Sequence, residues 1–97
     1  MIEEKITDEM LDELYEVLTS LETKEDCKNL IADLCTYKEI AQMAQRICAA
    51  KLLIQGKTYN QVIEETDISS ATLSRVSRAL RYGKGYKEQL KKRIGNG

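Results

Sequence analysis

The stretch from Ile40 to Ile54 limits what this chain can fold into more than any other. Read as a helix, its eleven apolar residues are Ile40, Ala41, Met43, Ala44, Ile47, Cys48, Ala49, Ala50, Leu52, Leu53 and Ile54. They cover nearly the whole circumference, and such a helix demands burial on most sides. The chain has only 97 residues, room for one small domain with one core. A domain of that size buries about two thirds of the surface its unfolded chain exposes. Yet Met10, Leu11, Leu14, Val17, Leu18 and Leu21 recur at three- and four-residue steps as a second wide stripe, and Cys27, Leu30, Ile31 and Leu34 form a third. One domain cannot cover this much apolar helix surface, so the sequence predicts a homodimer rather than a compact monomer with a few exposed leucines.

Proline, Phe and Trp are absent, and the Leu, Ile, Ala, Glu and Lys content favours an all-α fold with an aliphatic core. Thr7 opens a first helix that runs to about Ser20. Thr23 with Asp26 has the spacing of a capping arrangement and starts a second helix, and Thr36 with Glu39 starts a third. The third should run to about Gln55 and end at Gly56, a residue suited to a left-handed helix exit. A short helix follows over 58–66, presenting Tyr59, Val62 and Ile63 inward. Asp67-Ile68-Ser69 interrupts it, and a further helix runs from about Ser70 to Tyr82 with Leu73, Val76 and Leu80 inside and Gly83 at its end. Two helices separated by three residues read as a helix-turn-helix. Val62, Ile68, Leu73 and Val76 stand where the two helices must exchange apolar contacts. Asp67 occupies the turn position that needs a left-handed residue, usually Gly, and Asp tolerates that conformation better than most side chains. The last helix, about Lys87 to Arg93, is apolar only at Leu90 and Ile94, so it should cap the fold loosely and fray through Gly95-Asn96-Gly97. The expected organisation is a single domain over 1–97, with dimerisation helices in 1–55, the helix-turn-helix in 58–82 and a C-terminal helix in 86–94.

Several classes of function are disfavoured by what the chain lacks. It has no histidine, which removes imidazole acid-base catalysis and imidazole metal ligation. Cys27, Cys35 and Cys48 are too few for a Cys-only zinc site and form no Cys-x-x-Cys pair; reduced, packed thiols are expected, with no metal and no cofactor. No spacing assembles a nucleophile, a base and an oxyanion site, and Gly83-Lys84-Gly85 is too short for a phosphate-binding loop, so no enzyme is expected. No stretch approaches the roughly 20 apolar residues of a membrane span, and Met1-Ile2-Glu3-Glu4 is acidic where a signal peptide would be basic. A cytoplasmic location follows as the expectation.

The formal charge of −1 conceals a dipole. Residues 1–45 carry four Lys and Arg against twelve Asp and Glu, while residues 46–97 carry eleven against four. From Ser70 onward eight basic residues face one acidic residue, Glu88. Clustered positive charge of this kind neutralises phosphates and releases their counterions, although alone it fits a solvated basic tail as well. The turn pattern favours double-stranded DNA. Ser69, Ser70, Ala71, Thr72 and Ser74 put small hydrogen-bonding or methyl-contacting groups at the amino end of the second helix, the part that approaches base edges. Arg75, Arg78, Arg81 and Lys84 are placed as backbone clamps, with Lys57, Asn60 and Gln61 contacting phosphates from the preceding helix.

The segments Leu52-Leu53-Ile54-Gln55-Gly56-Lys57-Thr58-Tyr59, Glu64-Glu65-Thr66, Ala71-Thr72-Leu73-Ser74-Arg75-Val76 and Gly85-Tyr86 resemble the tryptophan repressor superfamily, most closely its YerC/YecD-type branch. The resemblance spans roughly residues 14–87. It implies a TrpR-like helical bundle, an intertwined homodimer in which each subunit offers a helix-turn-helix to half of a pseudo-palindromic operator. It also implies an effector pocket in which an indole ring would lie between two arginines, matched here by Arg46 and Arg75. The residue after the second arginine is glycine in the tryptophan repressor and Val76 here. Its branched side chain should fill the ring's space, so tryptophan is not expected as corepressor, and Arg46 becomes a structural arginine buried by pairing.

The leading expectation is a sequence-specific transcriptional regulator. With one domain and none to recruit polymerase, it would be a repressor. The alternative is a helical protein–protein interaction module without direct DNA binding, in which the acidic residues Glu3, Glu4, Asp8, Glu9, Asp12, Glu13 and Glu16 dock a basic partner.

Overall fold

A computed structural model describes residues 5–95, so the expectations placed on Met1 to Glu4 and on the frayed end at Asn96 and Gly97 lie outside the described residues. Among these residues there are six helices and no strand: α1 (Asp8–Thr19), α2 (Lys24–Leu34), α3 (Tyr37–Ile54), α4 (Tyr59–Thr66), α5 (Ser70–Tyr82) and α6 (Gly85–Gly95). None is long and apolar enough to cross a membrane. The chain divides into two compact units at Thr36 and Tyr37.

In the first unit, local hydrogen bonds set the helix ends. Thr7 caps α1 by accepting from the Met10 N–H at 3.1 Å, and Thr23 caps α2 by accepting from the Asp26 N–H at 3.0 Å. Asp26 itself reaches one residue further back than a reciprocal cap would, accepting from the Glu22 N–H at 3.3 Å. No residue of α1 or α2 is buried. Leu30 and Ile31 are half-buried, but Cys27 and Leu34 lie exposed, so the expected apolar face of α2 is only partly covered in a single chain.

The second unit holds the core: Ala49, Ala50, Val62, Ile68, Leu73, Val76 and Leu90 are buried together, with Leu52, Leu53, Ile54, Ile63, Leu80 and Tyr86 packed around them. Helix α3 is the scaffold, packing against α4, α5 and α6. Its end is a Schellman exit in which Lys57 N–H donates to Leu52 C=O and Gly56 N–H to Leu53 C=O, both at 3.0 Å, with Gly56 at φ +94° as expected. A capping box starts α4: Thr58 accepts from the Gln61 N–H at 3.2 Å, and Gln61 Oε1 accepts from the Thr58 N–H at 2.9 Å.

Three expectations need correction. The thiols are free but not packed in the core, since Cys27 and Cys48 are exposed and Cys35 is half-buried. Tyr59 turns outward at 44% exposure, leaving Val62 as the buried residue of α4. The last helix begins at Gly85, and it does not cap loosely: Leu90 is in the core and Tyr86 packs against it, because α6 lies on both α3 and α5.

A candidate nucleic-acid interface

The site begins with the turn. Asp67 adopts φ 62°, ψ 22°, the left-handed conformation expected of it, and its N–H donates to Ile63 C=O at 2.8 Å. Thr66 reinforces the bend: its hydroxyl donates to Val62 C=O at 2.7 Å and accepts from the Ile68 N–H at 3.2 Å. Ile68 then drops into the core, and Val62, Ile68, Leu73 and Val76 are the four largest fully buried side chains, in agreement with their expected role at the helix contact.

Leu73 and Val76 are the buried positions of α5 and Leu80 packs beside them, so the helix presents its opposite face to solvent. At 100° per residue, Ala71, Ser74, Arg75, Arg78, Arg81 and Tyr82 share one face. All six are exposed. Of the twelve residues expected to meet DNA, Lys57, Asn60, Gln61, Ser69, Ser70, Ala71, Ser74, Arg75, Arg78, Arg81 and Lys84 are exposed and Thr72 is half-buried. Three are already engaged locally. Ser69 caps α5 by accepting from the Thr72 N–H at 3.1 Å while donating to Thr72 Oγ1 at 2.9 Å, and Gln61 closes the capping box of α4 through its carbonyl oxygen. Their hydroxyl and carbonyl groups shape the helix starts, and the Gln61 amide nitrogen remains a free donor type on the surface.

The sequence reading missed Tyr82. Its ring is 72% exposed, with the Arg78 and Arg81 guanidinium carbons 5.7 and 6.0 Å from its centroid, within the range of cation–π attraction. The spacings of four and one from Arg78 and Arg81 were the available signal, since residues four apart meet on a helix. The aromatic ring gathers two charges that would otherwise swing freely on long side chains.

Arg46 and Arg75 line one cleft of about 290 Å³ with Thr72, Val76, Ala79 and Tyr86. The two arginines of the expected effector pocket are thus brought together, and Val76 forms part of the wall between α3 and α5. Arg46 is half-buried. On its other side Arg46 borders a polar cleft with Gln42, Gln45, Asp67, Ser69 and Thr72.

A family model described as Trp repressor protein matches residues 9–94. The chain is 40% identical over 91 residues to YerC, an uncharacterized protein of Bacillus subtilis strain 168, covering 94% of this chain and 88% of that protein. Among solved structures, a TrpR-like protein from Eubacterium eligens superposes with a TM-score of 0.84 at 35% identity, covering 94% of each chain. A candidate Trp repressor from Staphylococcus aureus superposes with a TM-score of 0.83 at 35% identity, covering 96% of each chain. With an all-helical fold shared along nearly its whole length, the chain belongs to the Trp repressor family, in the branch that contains YerC.

Proposed function

We propose that this protein is a sequence-specific DNA-binding transcriptional regulator, a repressor that acts from the cytoplasm as a homodimer on a pseudo-palindromic operator and carries out no catalysis. The observation that supports this most is the outward face of α5, where Ala71 and Ser74 offer close approach near the amino end and Arg75, Arg78 and Arg81 follow as phosphate partners. Membership of a repressor family points the same way. Dimerisation is supported by the apolar surface one chain leaves uncovered: Met10, Leu11, Leu14, Val17 and Leu18 are each between 36 and 52% exposed, and Ile47 is 44% exposed beside an apolar groove formed with Ala79, Tyr86 and Leu90.

Tryptophan is not the corepressor in this reading. Val76 sits in the wall of the Arg46–Arg75 cleft with its side chain 2% exposed, so a ring entering between the arginines meets a branched side chain that the core holds in place. Titration calorimetry with tryptophan should register no binding at micromolar ligand, and micromolar affinity would refute this part.

Selection of bound duplexes from a random pool, followed by titration at several salt concentrations, tests the whole reading. Affinity for the selected duplex should fall steeply with salt. Arg75→Ala or Arg78→Ala should weaken binding to every sequence and lower the salt slope by about 1, whereas Ser70 or Ser74 substitutions should change which sequence is preferred. A salt-independent or absent interaction with DNA would defeat it.

A further inference from the structure

Gln45, on α3, donates from Nε2 to the main-chain carbonyl of Thr66 at 2.9 Å, a bond between residues 21 positions apart. Thr66 closes α4, and its carbonyl belongs to the last turn, whose acceptors the helix itself leaves unpartnered. On the same residue the hydroxyl bridges Val62 C=O and the Ile68 N–H. The next residue, Asp67, is held in a left-handed conformation that is costly for a side chain other than Gly. Two residues further on, Ser69 caps α5. The bend that aims α5 is therefore tied to α3 by a directional bond made at the bend itself. Apolar contact between α3 and the two helices sets their separation but is not directional, and would let the turn rock.

We infer that Gln45 is a positioning residue for DNA recognition: by holding the Thr66 carbonyl it fixes the strained turn and hence the direction of α5. This rests on the DNA-binding reading above and extends it to a residue that need not touch DNA.

The test uses Gln45→Met in the full chain, which removes the donor while keeping the side chain's length. Two quantities are read: amide hydrogen exchange in the free protein, and affinity for a duplex selected by the wild type. Exchange at Asp67 and Ile68, whose amides are bonded within the turn, should quicken by about three- to tenfold while that of Ala49 and Ala50 stays unchanged, and affinity should fall by a factor of about three to ten. Adding Asp67→Gly, which relieves the left-handed cost, should raise affinity more in the Gln45→Met background than in the wild type; a general loss of α3 stability would leave the two gains equal. The inference is overturned by unchanged exchange at the turn, by affinity within twofold of wild type, or by equal gains from Asp67→Gly in the two backgrounds, as a direct contact between Gln45 and DNA would give. Should the wild type select no duplex at all, the DNA-binding reading fails by itself, while the exchange measurement still judges the tie between α3 and the turn.

Discussion

Gly83 ends α5 at φ −94°, in extended backbone, so its glycine is not explained by a left-handed turn. Space explains it. A Cβ built there would stand 2.8 Å from the Ala79 carbonyl oxygen, and that oxygen is fixed because it accepts from the Gly83 N–H at 2.8 Å. Gly83→Ala should therefore lower stability by about 1–3 kcal/mol, as overpacking against backbone does, read as a drop in the urea midpoint. Gly56→Ala has open space around the added methyl, and its cost arises only from the positive φ. At Tyr82 the prediction concerns binding. Tyr82→Phe keeps the ring and should retain DNA affinity, whereas Tyr82→Ala releases Arg78 and Arg81 and should weaken it by roughly two- to fivefold, given about 0.5–1 kcal/mol for an exposed cation–π pair. Equal losses in both variants would assign the effect to the hydroxyl instead.

The amino ends of α4 and α5 illustrate how one side chain can serve folding where the sequence suggested recognition. Thr58-x-x-Gln61 is a capping box, and Ser69 with Thr72 pairs hydroxyl to hydroxyl at the head of α5. Ser69→Ala should cost about 1 kcal/mol of stability in the absence of any DNA, measured by denaturant unfolding. If stability is unchanged while DNA affinity falls, Ser69 is a contact first and a cap second. Helix α6 gains its importance from placement rather than pattern. With Leu90 as a buried residue and Tyr86 against the core, it is held on α3 and α5, and the periodicity of a short, lysine-rich segment carries little of that information.

For the molecule as a whole, the excess of apolar helix surface is the quantity that matters. Sedimentation at micromolar concentration should give a dimer, and Leu14→Lys with Leu18→Lys should shift the protein toward monomer and weaken operator binding far more than binding by a single basic helix requires. A monomer that binds its duplex as tightly as the unaltered protein would remove the dimer from the mechanism. If two copies of α5 read one operator, their centres must match successive major grooves, about 34 Å apart.

Helix identity, the ends of the first five helices to within a residue or two and the buried quartet Val62, Ile68, Leu73 and Val76 were legible in the sequence, because capping residues, Gly56, Asp67 and the three- and four-residue apolar steps act over one or two turns of chain. So was the face of α5, which follows from which of its positions are apolar. The Gln45–Thr66 bond, the crowding at Gly83 and the clustering of Arg46, Arg75 and Val76 around one cleft depended on α3 lying against α4 and α5. Such contacts join residues far apart in the chain or fix distances to within an ångström, and no local periodicity encodes them; only the packed fold does.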